Sequence, residues 1–195
     1  MKYLKKLYEW VLHWADTPYA VPALFILAFA ESSFFPVPPD VLLMSLALAI
    51  PKKSFRYAAI CTVGSVLGGM FGYLIGLELI DTVGMPILKF YGATDKYESI
   101  RQLYIQYDAW AVGIAGFTPI PYKVFTIAAG AFKIDFLVFV FASIAGRAGR
   151  FFLVALLIYR FGPSIRSFID RYFNLLTMVF IALLVLGFIL IKYVF

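Results

Sequence analysis

Long apolar runs, interrupted by prolines or single charges, dominate the pattern along the chain. Two of them, 57–77 and 173–191, contain no charged residue and match the roughly 20 residues that a membrane-spanning helix needs. A third run, 136–159, is equally long but carries Arg147 and Arg150 near its middle, where an unpaired charge costs about 2.5 kcal/mol or more. We predict spanning helices in all three runs and a compensating partner for each arginine.

Two further apolar segments, 19–50 and 109–132, are each broken in the middle by prolines. Proline removes a backbone donor and disfavours helical geometry in the preceding residue, so closely spaced prolines end a helix. Each half is then too short to cross a bilayer. The breaking residues are Pro36, Pro38 and Pro39 in the first segment and Pro119 and Pro121 in the second.

The positions of the basic residues favour a re-entrant hairpin for each broken segment. Lysines lie both before segment 19–50 and directly after it, so a crossing would place basic clusters on opposite sides of the membrane. A hairpin instead keeps both clusters in the cytoplasm. The following segment, 78–108, has a net charge of −2 and suits the outer side, with short amphipathic helices, whereas the arginines of 160–171 suit the cytoplasm.

The two broken segments also resemble each other. Phe34–Val41 aligns with Phe117–Val124, with the phenylalanine, two prolines and the valine identical. One full crossing lies between the copies, so the repeats would be inverted, as in many transporters. We therefore predict an all-α integral membrane protein, with a single membrane domain over 1–195. It would consist of two inverted repeats, each a proline-broken re-entrant hairpin plus a spanning helix, with an N-terminal amphipathic interfacial helix over 1–16 and a C-terminal transmembrane helix.

Composition agrees with this fold class and excludes several functions. Hydrophobic residues make up 63% of the chain and charged residues only 14%, against about 25% charged in soluble domains. The net charge of +6 is too scattered for a nucleic-acid-binding face. With one cysteine and one histidine, the chain offers no disulfide framework, no Cys/His zinc site and few nucleophile–histidine arrangements. We expect neither an enzyme nor a cofactor or metal.

Small residues recur along run 57–77. Gly64, Gly68, Gly72 and Gly76 are spaced every four residues, which forms a smooth ridge that another helix can approach closely. We expect helix 136–159, which also contains several small residues, to pack against this ridge.

Five charged residues fall inside the predicted membrane region: Glu31, Asp40, Lys123, Arg147 and Arg150. One interpretation is an ion-pair network in which acids and bases only neutralise one another, with Asp40 and Lys123 compensating each other. The other is a polar site near the membrane midplane. Three bases against two acids leave one cation in excess, which favours an anionic group such as phosphate, and the planar fork of arginine fits phosphate oxygens.

The residues around both breaks resemble the DedA family of membrane proteins, which carry the SNARE-associated or VTT domain. The similarity rests on Phe29–Asp40, Phe117–Lys123 and Ala128–Gly130, and extends over about 15–165. It implies two re-entrant hairpins packed against spanning helices. It also implies lipid transport, because bacterial members are associated with moving undecaprenyl phosphate or phosphatidylethanolamine across the inner membrane and eukaryotic relatives with lipid scrambling.

The same resemblance suggests roles for individual residues. The functional acids of the family correspond to Glu31 and Asp40. Many members carry one arginine before the Phe-x-Pro of the second hairpin and another shortly after it, and here these places hold Gly116 and Lys123. We expect the two arginines of 136–159 to supply what Gly116 lacks. The chain is most similar to a shorter subgroup of the family.

Together these features predict a lipid flippase or scramblase in a bacterial or archaeal cytoplasmic membrane. Its partners would be membrane lipids with phosphate head groups, such as a phospholipid or undecaprenyl phosphate, and not nucleic acid. Proton coupling and homo-oligomerisation are left open. The alternatives are a proton-coupled transporter of a small anion or osmolyte, which would need a closed cavity, and a membrane scaffold that transports nothing.

Overall fold

A computed structural model describes residues 19–92, 94–118 and 120–162, and all regular secondary structure there is helical. Helices α1 (Ala20–Ser33) and α2 (Asp40–Ala49) lie on either side of the first proline cluster. A 3-10 turn, Pro51–Lys53, leads into the long helix α3, Ser54–Leu79. A π-helical turn, Ile80–Gly84, follows, and the remaining helices are α4 (Met85–Phe90), α5 (Thr94–Gln106), α6 (Asp108–Phe117), α7 (Tyr122–Ala131) and α8 (Phe136–Gly162).

Two helical stretches in the described part are long and apolar enough to cross a membrane. They are Pro51–Phe90, which contains α3, and Phe136–Gly162, which is α8. The runs 57–77 and 136–159 lie inside these stretches. The all-helical prediction is confirmed for the described residues, and the two long apolar helices are consistent with a membrane protein. The predicted helices over 1–16 and 173–191 lie outside the described residues.

Small residues bring the backbone of α1 into contact with the first half of α3. A Cβ added to Gly64 would lie 2.6 Å from the carbonyl oxygen of Phe25, and one added to Gly68 would collide with the backbone of Phe29. Both contacts need glycine, because a side chain on α3 would force the two helices apart. The contacts advance together along the two helices, so α1 and α3 run in the same direction.

The second half of α3 packs in the same way against α7. Gly76 meets the carbonyl of Ile127, and Gly130 of α7 meets the carbonyl of Tyr73. The glycine ridge of α3 is therefore covered by α1 and α7, and the expectation that 136–159 covers it was wrong. Helix α8 instead packs closely against α6, because Gly146 contacts the carbonyl of Gly113.

Two apolar clusters occupy opposite ends of this helical assembly. The first joins the start of α1, α2, the start of α3 and the end of α8, including Leu24, Leu43 and Phe151. The second joins the later part of α3, α6, α7 and the start of α8, including Val112 and Phe139. Helices α3 and α8 consequently run in opposite directions. Both chain breaks lie beside the middle of α3, which brings their polar residues together.

Candidate functional site

Hydroxyl groups hold the two chain breaks against α3 and against each other. Ser33 Oγ donates a hydrogen bond to the carbonyl oxygen of Gly68 at 2.8 Å. Thr126 Oγ1, in α7, donates to the carbonyl oxygen of Ser32 at 3.1 Å. Tyr122, which begins α7, lies against Gly69. The end of α1 and the start of α7 therefore meet on the same stretch of α3.

Arg147 of α8 forms an enclosed ion pair with Glu31 of α1. Its Nη2 lies 2.6 Å from Glu31 Oε2, and the two side chains are only 4% and 14% exposed. Arg147 Nε donates to Ser65 Oγ of α3, and Ser65 Oγ lies 2.6 Å from Ser32 Oγ. Three helices thus contribute to one buried polar cluster.

Aromatic rings fix the same guanidinium group. Its central carbon lies 4.8 Å from the ring centre of Tyr122 and 4.7 Å from that of Phe151. Such cation–π contacts contribute more when they are shielded from water. The Tyr122 hydroxyl in turn donates a hydrogen bond to Ser143 Oγ at 2.5 Å. Ion pair, hydroxyl groups and rings together hold Arg147 in one position.

The second arginine of α8 connects the two chain breaks. Arg150 Nε donates to Asp40 Oδ1 at 2.9 Å, at the first residue of α2. Its Nη1 donates to the carbonyl oxygen of Thr118 at 2.7 Å, just after α6. The Arg150 and Asp40 side chains are 17% and 15% exposed, so Arg150 is more accessible than Arg147.

Lys123 lies in the first turn of α7 and is half-buried. Within the described residues, no carboxylate lies within ion-pair distance of its ammonium group. The interpretation in which Asp40 and Lys123 compensate each other is therefore wrong, because Arg150 neutralises Asp40. Asp40 and Lys123 instead occupy corresponding positions, at the starts of α2 and α7.

The described prolines of both clusters lie between helices. Pro39 is fully buried directly before α2, and Pro121 directly precedes α7. Pro36 and Pro38 belong to the irregular segment between α1 and α2. Pro119 lies outside the described residues.

The sequence analysis did not identify the uncharged residues that surround Arg147. Ser65 is a polar residue inside an otherwise apolar run, which is a signal that could have identified it. Tyr122 and Phe151 sit among many other aromatic residues, so no pattern distinguishes them. Their role depends on which helix faces α8.

Gly116 of α6 lies against the stem of Arg147. A Cβ added to Gly116 would lie 3.5 Å from Arg147 Cδ and 3.4 Å from its backbone nitrogen. Arg147 therefore passes beside the position at which the resemblance leads one to expect an arginine. Whether α8 supplies a functional cation for position 116 stays a prediction.

Comparison with known proteins gives the same family as the motifs. The model of the VTT domain matches residues 37–160. An uncharacterised protein of Haemophilus influenzae is 36% identical over 155 residues, which cover 80% of each chain. An uncharacterised homologue from Histophilus somni is 32% identical over 154 residues, covering 79% of this chain and 80% of its own. No solved structure matches the chain.

Proposed function

We propose that this chain, which belongs to the VTT-domain (DedA) family, moves a lipid with a phosphate head group across the bacterial cytoplasmic membrane. VTT-domain proteins are membrane proteins of transporter type rather than enzymes. The observation that carries the proposal is the meeting of two helix breaks around paired charges, with Lys123 as a cation that has no acidic partner in the described region.

The helix arrangement supports two inverted repeats. Helix α1 runs alongside α3, and α6 contacts α8, each through glycine. The long helices α3 and α8 run in opposite directions, as an inverted pair requires. In this proposal, α1–α2 and α6–α7 are re-entrant hairpins that enter from opposite sides of the membrane. Their tips then meet near the midplane, where transporters of this architecture bind their substrates.

The two arginines have different roles in the proposed cycle. Arg147 is enclosed by Glu31, Ser65 and two rings, so its role is structural: it connects α8 to α1 and α3. Arg150 is more exposed and holds a carboxylate and a carbonyl, both of which a phosphate group can replace. Arg150 and Lys123 would therefore hold the head group.

Reconstitution into liposomes tests the function directly. Vesicles containing the purified protein receive trace amounts of labelled phosphatidylethanolamine, phosphatidylglycerol, undecaprenyl phosphate or diacylglycerol, and transbilayer movement is followed. We expect at least one phosphate-bearing lipid to move faster than in empty vesicles, and diacylglycerol to move at the background rate. Lys123→Gln should slow this movement, whereas Lys53→Gln, which changes an exposed lysine away from the site, should not.

Two results would contradict the proposal. Movement of inorganic phosphate without movement of any lipid would indicate a small-anion transporter. Absence of both, with a folded protein in the vesicles, would indicate a scaffold.

A further inference from the structure

An open apolar groove lies between α6 and the first half of α8. Its volume is about 1000 Å³. It begins near Ala109 and Leu137 and ends at Phe117, Thr118 and Gly146. The groove therefore runs along the length of α6, from the start of that helix to the chain break that follows it.

Close contact between the two helices forms the floor of the groove. A Cβ added to Gly146 would collide with the carbonyl of Gly113, so the backbones nearly touch there. Ala142 and Ala145 add only methyl groups to the lining and so leave the groove unfilled, while the lining rings of Trp110 and Phe141 are 72% and 69% exposed. An open groove with an almost wholly apolar lining suits a hydrocarbon chain better than a polar group.

The polar residues of the groove lie at its two ends. At the outer end, Asp135 accepts a hydrogen bond from the backbone N–H of Val138 at 2.9 Å, so its carboxylate caps the start of α8. At the inner end, the carbonyl oxygen of Thr118 accepts from Arg150 at 2.7 Å. The inner end therefore borders a residue that Arg150 contacts directly, which places it beside the proposed head-group site.

We propose that one hydrocarbon chain of the transported lipid lies in this groove while its phosphate contacts Arg150 and Lys123. The inference rests on the proposed function and names the substrate class more closely, as a two-part amphiphile bound along its length. Charge complementarity supports this occupant, because the groove is apolar along its length and its cationic end is supplied by Arg150, which donates to the carbonyl of the lining residue Thr118. A soluble anion would need only the cationic end.

Photolabelling of the wild-type protein tests this placement without requiring transport. The probe is phosphatidylglycerol with a diazirine in one acyl chain, present in vesicles of phosphatidylethanolamine and phosphatidylglycerol. We expect adducts on Leu137 and Phe141 to exceed those on Leu153 and Leu156 several-fold. The last two residues are also exposed on α8 but lie outside the groove. Excess unlabelled phosphatidylglycerol should reduce the groove adducts, and excess diacylglycerol should not.

Equal labelling of all four residues would overturn the inference, because it would indicate ordinary contact with bilayer lipid. An unlabelled groove would also overturn it, since another part of the protein, such as the apolar run 173–191, would then be the occupant. Selective labelling in a protein that moves no lipid would leave the groove assignment intact and contradict the proposed function. Lipid movement without selective labelling would contradict only the groove assignment.

A pair of substitutions provides an independent test. Ala145→Phe places a ring in the groove, whereas Ile144→Phe places one on the neighbouring exposed position outside it. We expect the first variant to lose the selective adducts and to move phosphatidylglycerol several-fold more slowly, and the second to behave as wild type. Unchanged adducts and unchanged transport in a folded Ala145→Phe protein would overturn the inference.

Discussion

Arg147 and Glu31 lie 116 residues apart in the chain, yet their side chains form an ion pair of 2.6 Å. The pair connects α8 to α1, and Ser65 connects it to α3. Because both side chains are largely enclosed, neither charge can be solvated if its partner is removed. The Arg150–Asp40 pair is more open and also reaches a backbone carbonyl. This difference separates the residues expected to hold the fold from those expected to meet a ligand.

The first prediction concerns stability. Glu31→Gln leaves the Arg147 charge buried without its partner, which should lower the free energy of unfolding by about 3–5 kcal/mol. The double variant Glu31→Gln/Arg147→Gln should lose less than the sum of the single variants, because no uncompensated charge remains. Lys133→Gln serves as the control: its pair with Asp81 is about half exposed and should contribute roughly 1 kcal/mol or less. Unfolding in detergent compares the wild type with these variants and with Arg147→Gln alone. Strict additivity would contradict the coupling.

The second prediction identifies the partner of Asp40. Asp40→Asn should lower the free energy of unfolding, because it leaves Arg150 without a counter-ion. Adding Arg150→Gln should recover part of this loss, because no unpaired charge then remains. Adding Lys123→Gln instead should recover nothing, since Lys123 does not contact Asp40. The same unfolding assay distinguishes the two double variants. If stability recovers in Asp40→Asn/Lys123→Gln but not in Asp40→Asn/Arg150→Gln, then Lys123 rather than Arg150 is the partner of Asp40.

The helix breaks and the charged residues were accessible from the sequence for local reasons. Prolines end helices wherever they occur in this spacing, and a charge inside an apolar run is conspicuous because lipid cannot solvate it. Two acids and three bases could therefore be collected as one set before their positions were known. The resemblance to the family then predicts a functional role for Glu31 and Asp40.

Pairing and packing partners could not be read in the same way. The ridge of Gly64 to Gly76 predicts close approach of a helix but not which helix, because several candidates also carry small residues. Likewise, the sequence offers Asp40 three possible cations, and only the placement of α8 beside α2 selects Arg150. The enclosure of Arg147 by Tyr122 and Phe151 depends on tertiary structure that no local pattern contains.

The third prediction concerns the contact between α1 and α3. Gly68→Ala should destabilise the protein by about 1–3 kcal/mol, because the new methyl group meets the backbone of Phe29 and the helix has to move. Gly113→Ala is the matched change in α6, where the nearest atom outside the local backbone lies at 3.8 Å. It should be tolerated. Thermal unfolding in detergent compares the two, and equal stability would show that α1 does not pack on this ridge.

The fourth prediction concerns membrane topology. Single cysteines at Lys53 and Arg160 are expected on the cytoplasmic side, and one at Glu98 on the outer side. Because Cys61 is fully buried among apolar residues, Cys61→Ala is the appropriate background. A membrane-impermeant thiol reagent added to intact cells should label only the cysteine at position 98. Labelling of position 53 or position 160, but not of both, would place them on opposite sides and contradict the double hairpin.

The fifth prediction separates the roles of the two arginines. At Arg150, lysine keeps the charge but loses the planar fork that grips a phosphate through two oxygens, so Arg150→Lys should slow lipid movement several-fold while the protein stays folded. At Arg147, lysine also loses contacts with Ser65 and the two flanking rings, so Arg147→Lys should mainly lower thermal stability. Transport in liposomes and unfolding in detergent, measured on both variants, give the comparison. If Arg150→Lys retains the wild-type rate for every phosphate-bearing lipid, Arg150 is only a counter-ion for Asp40 and the head group binds elsewhere.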